Sequence, residues 1–172
     1  LSTRAKAATA PRLDLYAPIH KGLRLFMGDT LVRVGRLDLD DAAELGATLD
    51  QLEGLLDLCR AHIAHENQFV HTAIEARQPG ASSRVAGEHD THLDAIASLE
   101  ADAAALRAWP SAGAAHRFYR HLALFVAENL EHMNVEETRH NPVLWAAYRD
   151  DELVAIEQRL VASIEPAERA VV

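Results

Sequence analysis

Four long stretches of the sequence carry apolar residues at intervals of three and four, which is the period of one face of an α-helix. No stretch alternates apolar and polar residues over a useful length, so the sequence predicts no β-strands. The four stretches cover about residues 14–36, 38–77, 82–108 and 113–140, and short breaks separate them. Long helices with short connections pack as antiparallel neighbours. We therefore expect an all-α protein built as an up-down four-helix bundle.

The breaks also predict how the chain is divided. Residues 1–13 have no clear helical pattern and are interpreted as a leader. Residues 14–140 contain the four long stretches and form the predicted bundle. Because Asn141-Pro142 interrupts the last stretch, residues 141–172 are predicted to be an extension with short extra helices.

Charge and cysteine content limit the classes of partner. The net charge of −9 disfavours nucleic acid and anionic membranes, which bind positively charged surfaces. No apolar run approaches the roughly 20 residues of a membrane span, and the first residues lack the apolar core of a signal peptide. The single cysteine, Cys59, excludes an internal disulfide and is expected in the core. These features predict a cytoplasmic protein without nucleic-acid or membrane partners.

Histidine and glutamate residues recur in a repeat that spans the predicted bundle. Ten histidines are present, and several occupy matching positions in the two helix pairs. The repeated residues are His20, then His62 with Glu66, in the first pair, and His89 with His92, then His132 with Glu136, in the second. The first His precedes the His-x-x-x-Glu motif by 42 residues in one pair and 43 in the other, and the two motifs are 70 residues apart. Such a repeat predicts two similar half-sites.

Helical geometry directs these side chains to one place. Residues four apart share a helix face, so the His and Glu of each motif point the same way, along the apolar stripe of their helix. Buried ionisable groups at this density are costly unless metal ions pair with them. A carboxylate can bridge two ions while neutral imidazoles complete each coordination sphere. The residues therefore predict a dinuclear metal site, with iron suited to the mixed ligands and manganese or zinc possible.

The motifs resemble those of a known family. The segments 62–66 and 132–136 are similar to the paired His-x-x-x-Glu motifs of the bacterial hemerythrin-like (HHE cation-binding) family. Segment 88–92 resembles that family's third-helix histidine segment, and segment 19–21 its first. The resemblance covers roughly residues 14–140. It implies two iron ions with Glu66 and Glu136 bridging and with terminal ligands from His20, His62, His89 and/or His92, and His132.

Two departures from the oxygen-carrying members bear on these roles. Their third-helix pair is His-x-x-x-His, whereas His89 and His92 are three apart, so both residues bind or one lies just outside the coordination sphere. The carriers also place an aspartate five residues after the last-helix histidine, where this chain has Glu137.

Other histidines are assigned away from the site by helical angle or position. His71 also begins a His-x-x-x-Glu motif, but it lies nine residues after His62. It is therefore predicted on the opposite face, where it points outward or packs against the C-terminal segment. His65 lies about 60° from the ligand face. His116 and His140 are near helix ends and are expected at the surface.

Three further residues have open roles. His121 is predicted to point inward, about three turns from His132 and so too far away to join it. Glu128 lies one turn before His132 and is either an extra ligand or a hydrogen-bond acceptor. Tyr16, one turn before His20, is either a packed aromatic or a hydrogen-bond donor or phenolate ligand at the site.

Two classes of function fit such a centre. The first is a binding protein that holds iron and takes up a small diatomic ligand, O2 or NO, for sensing, storage or carriage. The second is a di-iron enzyme acting on peroxide, NO or O2. We favour binding, because no general acid or base beyond the ligands is evident in the sequence. A metal-free helical interaction domain would leave the repeat of ligand residues unexplained.

Overall fold

A computed structural model describes residues 12–164, and all regular secondary structure in this range is helical, without β-strands. The α-helices are α1 Ala17–Gly35, α2 Ala42–His65, α3 Thr72–Arg77, α4 Ser83–Ala108, α5 Ala112–Val135, α6 Asn141–Ala147 and α7 Asp150–Ser163. The all-α prediction is confirmed. The predicted leader lies almost wholly outside the described residues, as does the end of the predicted C-terminal extension.

Local side-chain contacts set where several helices begin and end. Asp41 precedes α2 and its carboxylate accepts hydrogen bonds from the first free amides of that helix. Ser111 has the same role before α5. Between α3 and α4 the chain reverses at Gly80, whose φ of 84° favours glycine. The Glu75 carboxylate accepts from the Gly80 and Ser82 amides and holds this turn.

The four long helices each pack against two of the others, α1 against α2 and α5, and α4 against α2 and α5. In three of these pairs, the contacting residue numbers rise along one helix as they fall along the other. The polar contacts that show this are His20–Glu66 and Arg33–Gln51 for α1 and α2, Arg60–Glu100 and Asp50–Arg107 for α2 and α4, and Asp102–His121 and Glu88–His132 for α4 and α5.

Two apolar cores lie on either side of the histidine-rich region. The larger core fills the space among the four long helices and includes Leu49, Leu52, Leu99 and Leu122, none of which is exposed to solvent. The smaller core packs α6 and α7 against the chain around α3, and its buried members are Tyr16, Val70, Ala73, Ile74, Leu144, Leu153 and Ile156. The C-terminal helices therefore cover one end of the long helices.

Two π-helical segments interrupt regular α-helix at that end. Glu66–His71 follows α2 directly, and Glu136–His140 follows α5 directly. Each begins at the glutamate of a His-x-x-x-Glu motif. In π-helix the hydrogen bonds run from i to i+5, so a turn takes more residues than in α-helix and later side chains are rotated from their α-helical directions.

No helix within residues 12–164 combines the length and the apolar character needed to cross a membrane.

Replacing Leu153 tests whether the smaller core stabilises the fold. Leu153 is fully buried between α7 and the residues around α3, so Leu153→Ala should lower the free energy of unfolding by about 2–5 kcal/mol. The neighbouring Val154 is 39% exposed, and Val154→Ala should change it by no more than about 0.5 kcal/mol. Urea denaturation followed by circular dichroism measures both. Equal midpoints for the two variants would contradict this assignment.

Candidate metal centre

Glu66, at the end of α2, lies buried between imidazoles from three helices. Its Oε1 is 3.2 Å from Nε2 of His62 and 3.5 Å from Nε2 of His20. Its Oε2 is 3.3 Å from Nε2 of His89. The two oxygens of this carboxylate therefore face different sets of imidazoles.

Glu136, at the end of α5, has the equivalent position on the other side. Its Oε2 is 3.4 Å from Nε2 of His20, whereas its Oε1 is 3.4 Å from Nε2 of His132 and 3.8 Å from Nε2 of His89. The Nε2 of His71 is 3.9 Å from the same Oε1. Both carboxylates thus lie between two groups of nitrogen atoms.

Potential ligand atoms in this region fall into three groups within residues 12–164. Each residue of a group offers one ligand atom, and these atoms all lie within 4.8 Å of one another. The first group is His20, His62, Glu66 and Glu136, the second is Glu66, His89, His132 and Glu136, and the third is His71, Glu136 and His140. Bonds of about 2.0–2.2 Å to one ion keep ligand atoms within roughly 4.4 Å of one another. Each group is therefore compact enough to hold a metal ion after small side-chain adjustments.

Unpaired polar atoms support this interpretation. All four carboxylate oxygens of Glu66 and Glu136 are buried without a hydrogen-bond partner, as are Nε2 of His20 and Nε2 of His62. A buried polar atom without a partner is costly, and a buried charge costs more. These atoms point to one another across a few ångströms, so cations between them would satisfy the whole set. The donors present fit a transition-metal ion.

Hydrogen bonds around the outside orient the imidazoles. Nδ1 of His89 is 2.8 Å from Oδ1 of Asn67, and Nδ1 of His132 is 2.9 Å from a carboxylate oxygen of Glu88. Because these oxygens accept, each Nδ1 carries the proton and each Nε2 presents a lone pair. Those two Nε2 atoms are only 3.0 Å apart. One proton or one metal ion between them satisfies both nitrogens, and carbonyl or carboxylate partners on the far nitrogen are typical of metal-bound histidine.

His20 has the same arrangement with a further ion pair behind it. Its Nδ1 lies 3.0 Å from Oε1 of Glu137, and Arg24 lies 2.6 Å from the same oxygen. Glu137 thus fixes the His20 ring with Nε2 directed at Glu66 and Glu136.

The charges at the centre also favour a bound cation. Burial would raise the pKa of Glu66, but the neighbouring imidazoles, His62 foremost, hold it well below its usual range. Burial and the charge of Glu66 would raise the pKa of Glu136, but the neighbouring imidazoles of His132 and His20 outweigh both and lower it. Burial lowers the pKa of His20, but the carboxylates of Glu136 and Glu66 outweigh it and raise that pKa to about 9. Without metal, His20 therefore supplies a counter-charge as imidazolium.

Six of the seven residues selected from the sequence come together here. His20, His62, Glu66, His89, His132 and Glu136 all belong to the first two groups. His92 does not belong to any of the three groups. It is buried, and its ring packs against those of His132 and Phe125 at centroid distances of 4.7 and 6.3 Å.

Two histidines that the sequence places away from the ligands, His71 on the opposite helix face and His140 at the surface, are buried at the centre, and those predictions are wrong. His71 is 5% exposed and its ring stacks on His89, because the π-helical turn after Glu66 brings the fifth residue back toward the site. His140 is 3% exposed, because it lies in the second π-helical segment and the chain continues into α6 over it. The sequence spacing could have indicated that both belong to the repeat, because His140 follows His71 by 69 residues, close to the repeat of 70.

The remaining candidates have simpler surroundings. His116 is exposed as expected, and His121 is half-buried and pairs with Asp102 at 2.8 Å. Glu128 is exposed. Tyr16 is buried with its hydroxyl 3.0 Å from Nδ1 of His140. Cys59 is buried in the larger core, where burial raises the pKa of its thiol to about 12.

A cavity of about 430 Å³ adjoins the first group of ligands. It lies among α1, α2 and α7, and apolar side chains such as Ile19, Leu58 and Leu160 form most of its wall. His62 and Glu66 also line it, and His62 is the most exposed of the six grouped residues selected from the sequence, with 11% of its side chain accessible. Small molecules in this cavity would contact the centre directly.

No protein-family model and no curated protein matches this chain.

Stability of the metal-free protein should depend on the charge of His20. Its pKa in the folded state is about 9, above the unfolded value of 6.5, so the folded protein binds more protons between these values. The stabilisation is fully present below about pH 6.5 and is lost as pH rises through 9. Denaturant unfolding in chelator should therefore show stability falling over this interval, and less steeply in His20→Asn. The control His121→Ala should retain the wild-type slope, and identical slopes in His20→Asn and wild type would refute the role of His20.

Proposed function

We propose that this chain is a hemerythrin-like up-down four-helix bundle whose centre holds two non-haem iron ions. In this proposal the reduced centre binds a small diatomic ligand, O2 or NO, for sensing, storage or carriage. The observation that carries the proposal is the pair of buried, unpaired carboxylates whose two oxygens face different groups of imidazoles.

The first two groups supply the ligands of the two ions. His20 and His62 would hold one ion, and His89 and His132 would hold the other. Glu66 and Glu136 would serve both ions, because each carboxylate has one oxygen near each imidazole pair. Mixed imidazole and carboxylate ligands suit iron, while manganese and zinc are accepted by the same donor types.

The surrounding residues orient the imidazoles for metal binding. Glu137, Asn67 and Glu88 hold the far nitrogens of His20, His89 and His132, which fixes both ring orientation and tautomer. When bound, ferrous iron supplies the electrons and open coordination positions that a diatomic ligand requires. The chain itself excludes bulk water, since five of the six ligands are at most 5% exposed.

The cavity beside His62 supports a small, weakly polar ligand. Its wall is mostly apolar and includes His62 and Glu66, so a gas molecule in the cavity would lie beside the centre. One feature favours the alternative, a di-iron enzyme acting on peroxide, NO or O2. His65 lines the same cavity near His62, and an imidazole there is a protonatable group within the ligand space.

Metal content of matched variants tests the ligand assignment. His132→Ala removes a nitrogen ligand, and Glu66→Gln removes a charge shared by both ions, so iron bound per chain should fall in each variant. The controls are His121→Ala, on the same helix as His132, and Glu75→Gln, whose carboxylate holds the turn at Gly80. Both controls should bind iron as the wild type does. Elemental analysis after anaerobic loading measures this, and wild-type iron content in Glu66→Gln would count against a bridging role.

Optical spectroscopy separates binding from turnover. The reduced, iron-loaded protein should bind NO near-stoichiometrically and give new absorption bands that persist, while peroxide should be consumed slowly. His65→Ala should leave both results unchanged if the cavity serves only for access. Rapid peroxide loss that disappears in His65→Ala would instead support the enzyme.

A further inference from the structure

The two ions of the proposed centre leave two central histidines unused. His71 and His140 are 5% and 3% exposed, and neither belongs to the two ligand groups of the dinuclear centre. Both ring nitrogens of His71 are buried without a hydrogen-bond partner. Both nitrogens have lost their hydrogen bonds to water on folding, and this loss is costly unless another interaction replaces them.

A carboxylate oxygen and a second imidazole lie where such an interaction can form. Nε2 of His71 is 3.9 Å from Oε1 of Glu136, and the rings of His71 and His140 meet edge to face with centroids 5.4 Å apart. One ligand atom from each of the three residues lies within 4.8 Å of the other two. This group shares only Glu136 with the group around His89 and His132.

His140 also has an outer hydrogen bond on Nδ1, as His20, His89 and His132 have. Its Nδ1 is 3.0 Å from the hydroxyl of Tyr16, as Nδ1 of His89 is close to Asn67 and Nδ1 of His132 to Glu88. When Nδ1–H donates to the tyrosine oxygen, Nε2 is free to bind a metal ion. Tyr16 is itself fixed, because it is buried in the smaller core.

We propose that His71, His140 and Glu136 form a third position for a divalent transition-metal ion beside the dinuclear centre. The position rests on the proposed function in one respect, since Glu136 is also a ligand of that centre. Three protein ligands leave at least one coordination position open. Two nitrogen donors and one carboxylate suit ferrous iron, cobalt and zinc alike.

Counting bound ions tests the proposal. Metal-stripped protein is titrated anaerobically with Co2+, and native mass spectrometry with visible absorption counts the ions and follows their ligands. The wild type should bind three ions per chain. His71→Ala and His140→Ala should each bind two, and the control His121→Ala, whose partner is Asp102, should bind three.

A variant that keeps both histidines tests the proposal even if the loss of a buried histidine disturbs folding. Tyr16→Phe keeps the ring in the smaller core and removes only the hydrogen bond to His140. It should bind three ions, with the dissociation constant of the weakest one raised about 10-fold or more and the other two unchanged. Unchanged affinity for all three ions would overturn the role of His140.

The outcomes separate this proposal from the dinuclear centre. Two ions in the wild type and two in His71→Ala would overturn the third position and leave the dinuclear centre intact. Two ions in the wild type and one in His71→Ala would also overturn it, and would make His71 a ligand of the dinuclear centre. Binding of no ion by the wild type would refute the proposed function itself.

Discussion

The centre of this protein depends on two buried carboxylates that no hydrogen bond satisfies. Glu66 and Glu136 lie at the ends of two long helices with all four oxygens unpaired, and imidazoles surround them. Their charge is retained because the neighbouring imidazoles hold both pKa values below the usual range, despite burial. An arrangement of this kind is unfavourable in an apolar core unless positive charge is bound within it. The imidazole tautomers fixed by Asn67 and Glu88 leave lone pairs directed at the same space.

The π-helical segments follow the same two glutamates and change what the helices can present. In α-helix, His62 and Glu66 lie on one face. The wider π-helical turn that follows then brings His71, from the same continuous helix, to that face as well. The second segment repeats this with Glu136 and His140. One helix end thereby contributes three inward side chains where regular α-helix would contribute two.

Much of this organisation could be predicted from the sequence, because it depends on local rules. Apolar spacing and the break at residues 78–80 located the long helices, and four-residue spacing within an α-helix placed His132 beside Glu136. His71 was assigned to the wrong face because a rotation of 100° per residue does not hold after Glu66. His140 was misassigned because α6 continues directly from the second π-helical segment and buries it. Spacing alone also could not separate His89 from His92, since residues three apart share a face and both are buried.

The sequence repeat accounts for the similarity of the first two groups of potential ligands, and the chain outside the repeat contributes to the differences between them. Helix α6 follows the second π-helical segment as α3 follows the first, whereas the short helix α7 has no counterpart among the described residues of the first half of the chain. Helix α7 forms one wall of the cavity beside His62, so the first ligand group borders on open space. The smaller core that holds α6 and α7 also buries Tyr16, whose hydroxyl contacts His140. The C-terminal helices thus make an otherwise symmetric centre asymmetric, with an accessible side at His62 and a closed, histidine-rich side at His71 and His140.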